Sequence, residues 1–107
     1  NYIAYLFATV AGVSKLGSFS HTTGSETDVD CGFSSGARFV LIKRTDSTGD
    51  WYNWDTARGI GAGTESRIAL NLSDAEYTLG NDIDPLSSGF KIASGVNTGT
   101  YIFYAIA

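Results

Sequence analysis

Arg38-Phe39-Val40-Leu41-Ile42-Lys43-Arg44, followed by Thr45-Asp46-Ser47-Thr48-Gly49 and then Asp50-Trp51-Tyr52-Asn53-Trp54-Asp55, is the stretch on which the fold turns. Phe39 to Ile42 are apolar on both faces of an extended chain, which suits a strand at the centre of a sheet. Asp46-Ser47-Thr48-Gly49 has Asp first and Gly last, the preference of a type I turn. Segments 37–45 and 50–55 are therefore predicted to form an antiparallel hairpin. Alternation along the second of them sends Trp51 to one face and Tyr52 and Trp54 to the other. Trp51 is expected in the core, beside Phe39 and Leu41, which leaves Tyr52 and Trp54 to touch a ligand or partner.

Outward from this hairpin the pattern stays the same. Further strands are expected near 2–9, 16–20, 67–71, 89–94 and 100–107, with weaker signals at 27–31 and 76–79. Gly, Ser, Thr and Asp clusters separate them. The 107 residues carry 13 Gly, 12 Ser and 11 Thr, with no Met, no Gln and one Pro. That mixture favours strands and turns over helices. Ser73-Asp74-Ala75-Glu76 has capping-box spacing, but Gly80 follows within a turn, so at most it caps one turn of a connection. The expected fold is a single all-β domain over 1–107, an antiparallel β-sandwich of jelly-roll or concanavalin-like form.

Seven Lys and Arg stand against 11 Asp and Glu, a net −4, with no basic block. Nucleic acid needs clustered cations, so it is not an expected partner. No apolar run is long enough to span a bilayer, so membrane insertion is not expected either. Asn1-Tyr2-Ile3-Ala4-Tyr5-Leu6-Phe7 has no basic n-region, and no signal peptide is expected. The missing initiator Met points to a processed chain or to a piece of something longer. Segment 1–8 echoes 100–107 in pattern, and neither holds a charged side chain. Unprotected strands of that kind should pair inside the sheet or with a neighbouring copy.

Candidate chemistry is sparse. Glu26, Asp28 and Asp30 would share a face of a strand, as paired-carboxylate glycoside chemistry requires, but a solvated acidic loop explains them better. Asp46, Asp50, Asp55, Asp82 and Asp84 could supply oxygens to Ca2+, yet no EF-hand spacing is present and Asp is an ordinary turn former. No cofactor and no metal residue are assigned. Ser20 and His21 point apart on a strand and make no nucleophile–base pair. Gly59-Ile60-Gly61-Ala62-Gly63 lacks the third glycine and the lysine of phosphate loops. Cys31 has no basic neighbour and is expected to be a small buried apolar residue.

Gly32-Phe33, the run 38–44, the run 50–59, Asn71, Ala75-Glu76, Ser88-Gly89-Phe90 and Tyr101-Ile102-Phe103-Tyr104-Ala105 together carry a resemblance. At these spacings the chain resembles the small concanavalin/laminin-G-like β-sandwich module of bacteriophage tail-fibre and virion structural proteins. Asp55, Arg58 and Gly59 match its most recognisable positions, and Asn53 stands where its pattern has an apolar residue. The resemblance implies a non-enzymatic virion domain, in a tail fibre or surface appendage, that serves assembly and host contact. It implies an extracellular, virion-borne location. Its partners would be other copies, neighbouring virion proteins or a host-surface glycan. No catalytic residues come with it. For Arg58, the structural expectation is a bond to Asp55 or a backbone carbonyl, with Gly59 at positive φ. A stand-alone carbohydrate-binding module is the alternative, and a small hydrolase a distant third.

Overall fold

The apolar, β-branched runs do form strands, because only a paired strand buries such side chains while satisfying the backbone polar groups between them. The computed structural model describes residues 1–61 and 63–107. Nine strands follow one another, and no helix occurs among the described residues: β1 (Ser14–His21), β2 (Thr27–Asp30), β3 (Phe39–Arg44), β4 (Trp51–Asp55), β5 (Glu65–Ala69), β6 (Tyr77–Gly80), β7 (Ile83–Leu86), β8 (Gly89–Ile92) and β9 (Gly99–Ile106). They build two antiparallel sheets, a six-stranded one ordered β1-β9-β3-β4-β5-β6 and a three-stranded one ordered β2-β8-β7. The chain is an all-β sandwich.

The core lies between the sheets. Val40 and Ile42 of β3, Trp54 of β4, and Tyr101, Phe103 and Ala105 of β9 meet Val29 of β2, Phe90 and Ile92 of β8, and Ile83 of β7. Phe90 sets its ring edge-on to Phe103 at 5.2 Å between centroids. Cys31 joins this core, and burial, helped by the nearby Asp30 charge, pushes its thiol up to about 11. It is an inert apolar side chain, as expected.

The β3–β4 hairpin forms with Val40 opposite Trp54 and Ile42 opposite Tyr52. Its connection is longer than a tight turn. Asp46 is drawn back to the Arg44 guanidinium at 2.7 Å, and Lys43 donates to the Gly49 carbonyl at 2.7 Å. Register also corrects the expectation for Trp51. Trp54 is 4% exposed and Trp51 is 40% exposed, because Trp51 shares the outer face with Phe39 and Leu41. An all-apolar strand leaves the choice of core face open, and the aromatic row of β9 decides it.

Three further readings change. Segment 2–9 is not a strand: β9 already pairs with β1 on one side and β3 on the other, so its echo at the start of the chain cannot pair with it. Segment 83–86, which is not among the expected strands, is the strand β7 although it contains Pro85. It lies at the rim of the three-stranded sheet, where a missing N–H breaks no interior ladder. Finally, Ser73-Asp74-Ala75-Glu76 starts no helix and leads directly into β6.

Candidate functional site

The six-stranded sheet is wider than the sheet that covers it, so part of its inner face faces a cleft of about 410 Å3. Strands β3, β4, β5 and β9 supply the floor, and the loops at 48–50 and 95–97 supply the rim. Alternation along β4 aims Tyr52 and Trp54 into this cleft, with ring centroids 5.9 Å apart. Both residues expected to meet a ligand are thus brought together, although Trp54 belongs equally to the core. Its indole Nε1 is buried without a hydrogen-bond partner.

Arg67 is not among the expected site residues, yet it organises the site. Its guanidinium lies 4.5 Å from the Tyr52 ring centroid and 4.7 Å from that of Tyr77, and it pairs with the Asp82 carboxylate. Cation–π contact on both sides and a carboxylate at the end hold the guanidinium in place. A usable signal was Glu65-Ser66-Arg67, where two charged residues two apart must share one face of a strand.

The polar rim is equally fixed. The Tyr52 hydroxyl donates to Asp50 at 3.2 Å, and Asn71 Nδ2 donates to the other Asp50 oxygen at 2.9 Å. Tyr101 donates to the Asn97 carbonyl at 2.7 Å. Burial raises the Tyr52 phenol above its ordinary value and Asp50 adds to this, with Arg67 opposing; burial also raises Tyr101, with Arg44 opposing. Both therefore stay neutral phenols and hydrogen-bond donors at physiological pH. Two cations, Arg44 and Arg67, line the cleft against two carboxylates, Asp50 and Asp82. The lining has no net charge.

Behind Asp82 lies Glu65, 1% exposed. Its Oε2 accepts from the Asp82 N–H at 3.0 Å and the Ile83 N–H at 3.5 Å, which fixes the backbone that carries Asp82. Oε1 has no partner. Burial raises the Glu65 carboxyl above its ordinary value, against the lowering effect of those two N–H groups. The unfolded chain gives up this proton at lower pH than the folded one. Stability from Glu65 is therefore greatest at acid pH, where both states hold the proton, and falls as pH rises through its folded range. Urea unfolding across that range should show this decline, and Glu65→Gln should flatten it. An unchanged pH slope in the variant would exclude Glu65 as its source.

The other candidates lie apart from the cleft. Asp28 and Asp30 are exposed on β2, and Lys91 pairs with Glu26 at 2.9 Å and approaches Asp28 at 3.8 Å. That acidic string is a solvated outer surface, partly offset by Lys91. His21 is buried with Nδ1 2.8 Å from the Thr27 hydroxyl, whereas Ser20 is exposed. Asp55, Arg58 and Gly59 form a closed turn. The Asp55 carboxylate accepts from the Arg58 backbone N–H at 2.9 Å and pairs with its guanidinium, which also reaches Glu76 at 2.9 Å. Gly59 has φ +92°. Of the Gly59–Gly63 stretch, Ala62 lies outside the described residues. No three His, Cys, Asp or Glu converge among the described residues as a metal site would require.

A β-sandwich with a net-neutral, aromatic-walled cleft between its sheets is the class that fold and site define. The chain belongs to the family described as domain of unknown function DUF7483, whose model matches residues 1–107. No curated protein and no solved structure matches it.

Proposed function

We propose that this chain is a non-enzymatic structural module of a bacteriophage virion, in a tail fibre or surface appendage, and that it contacts the host surface by holding a neutral sugar in the inter-sheet cleft. The cleft lining carries the reading. Tyr52 offers flat apolar surface that matches the apolar face of a pyranose ring, and the buried Trp54 backs it from the floor of the cleft. Asp50, Asp82, Asn97 and the two arginines ring it with acceptors and donors for hydroxyls, and their charges cancel, which favours an uncharged ligand over an acidic one. The solvated setting of Glu26, Asp28 and Asp30 supports a binding role over hydrolysis. The resemblance of the 38–44 and 50–59 runs to virion modules supplies the setting.

The test is a screen of the folded chain against neutral and acidic glycans, followed by calorimetry on the best ligand. Neutral hexose-containing glycans should bind, and Tyr52→Ala should weaken them by roughly tenfold, about 1.4 kcal/mol, with the circular dichroism of the native fold retained. Preference for acidic glycans, or equal binding by the variant, would overturn the reading. The cleft is complete within one chain, and this specific feature favours the second reading, a stand-alone carbohydrate-binding module, if the isolated chain binds as a monomer.

A further inference from the structure

The outer face of the six-stranded sheet carries an apolar patch of its own. Leu16, Leu41, Trp51, Ile102 and Tyr104 line a shallow hollow of about 370 Å3 there, and Tyr5 and Phe7 of the chain's own arm form part of its wall. Above it runs the segment 1–9, which contains no charged side chain. Contacts at Phe7 to Thr9 anchor the segment. Ser14 Oγ donates to the Ala8 carbonyl at 2.8 Å, and the Leu16 N–H donates to the Thr9 hydroxyl at 3.0 Å. Phe7 then packs on Tyr104 at 4.5 Å between ring centroids. Beyond Phe7 the arm is mostly in water, with Tyr5 touching only the edge of the hollow: Tyr2 is 103% exposed, Ile3 83%, Tyr5 80% and Leu6 93%.

We infer that this outer face is an interface with a second copy of the chain, the arm of each copy filling the hollow on the other. Area selects that occupant. At about 150–200 Å2 for a fully exposed large side chain, the arm and the half-exposed face residues present on the order of 1,000 Å2 of apolar surface per copy. A stable interface needs about 800 Å2 per partner, and scattered apolar residues on a monomer rarely reach that total in one patch. Arm and hollow are also mutually matched, since Phe7 already sits on Tyr104 within one chain. A twofold pairing uses the same patch on both copies and leaves no arm unpaired. Each chain carries a net −4, yet the arm contributes no carboxylate to the contact, so charge repulsion between copies is kept away from it. This inference rests on the outer face and is independent of the inter-sheet cleft.

Sedimentation equilibrium of the intact chain at ~100 µM, above the micromolar limit typical of standard-size interfaces, should give a dimer or a multiple of it. Ile102→Asp on the face and Leu6→Ser in the arm should each weaken association by about 30-fold or more, since central apolar contacts carry most of such an interface. Both positions are exposed enough for the fold to survive, which circular dichroism would check. A mixture of Leu6→Cys and Ile102→Cys chains should form a disulfide-linked pair under mild oxidation, because Cys31 is buried and silent. A monomer at that concentration would overturn the inference, as would a monomer that instead pellets with lipid vesicles. A dimer that survives both substitutions, or that yields no mixed disulfide, would overturn it equally.

Discussion

Gly89→Ala is expected to leave the chain largely unfolded, with a loss of about 3 kcal/mol or more. Gly89 opens β8 opposite Asp30 of β2 and Leu86 of β7, at the point where the chain after β2 wraps over the β7–β8 turn. A Cβ there would run into the Val29 carbonyl oxygen and lie 3.0 Å from the Cys31 nitrogen. These are backbone atoms and cannot swing aside as a side-chain tip would. Relief requires the β2–β8 ladder to part, and with it the Ser88 carbonyl that accepts from both Cys31 and Phe33. Gly95→Ala is the control. Its Cβ would meet nothing nearer than 3.9 Å, and its φ lies outside the left-handed region. It should change stability by no more than about 0.5 kcal/mol. Denaturant midpoints of the two variants would settle the comparison, and equal midpoints would refute the packing argument.

Trp54→Ala should cost about 3–5 kcal/mol, and Trp51→Ala no more than about 1.5 kcal/mol. Trp54 fills the inner face opposite Val40, while Trp51 rests on the outer face opposite Lys43. The two tryptophans sit three residues apart on one short strand, so the contrast tests which face of β4 is core. Trp54→Phe should retain most of the stability. It shrinks the ring, but it also removes a buried indole N–H that has no acceptor, and burying such a donor costs about 1–3 kcal/mol. Thermal melts rank the three variants. If Trp51→Ala proved the more damaging, the sheet would be facing the other way.

The sequence by itself determined the class of fold and most of its strands. β-Branched runs, frequent turn residues and the lack of any helical period leave a two-sheet antiparallel protein as the consistent outcome, and the 39–44 with 51–55 hairpin follows from one apolar run, one polar connection and one aromatic run. It also marked Tyr52 and Trp54 as a pair on one face, and Arg58 as a partner of Asp55 or a backbone carbonyl beside a positive-φ Gly59, because alternation and local side-chain bonds act within a few residues. Tertiary structure decided what depends on distant partners. The segment 39–42 is apolar on both faces, and only the docking of Tyr101, Phe103 and Ala105 made Val40 and Ile42 the core side, which moved Trp51 outward. Pro85 stays in a strand because the rim of the smaller sheet does not need its N–H. Segment 2–9 has strand chemistry but no free edge beside β9, since β1 and β3 hold both. Arg67 and Asp82 lie 15 residues apart in sequence, and they meet over Tyr52 only because β5 and the segment before β7 converge on the uncovered end of the wider sheet.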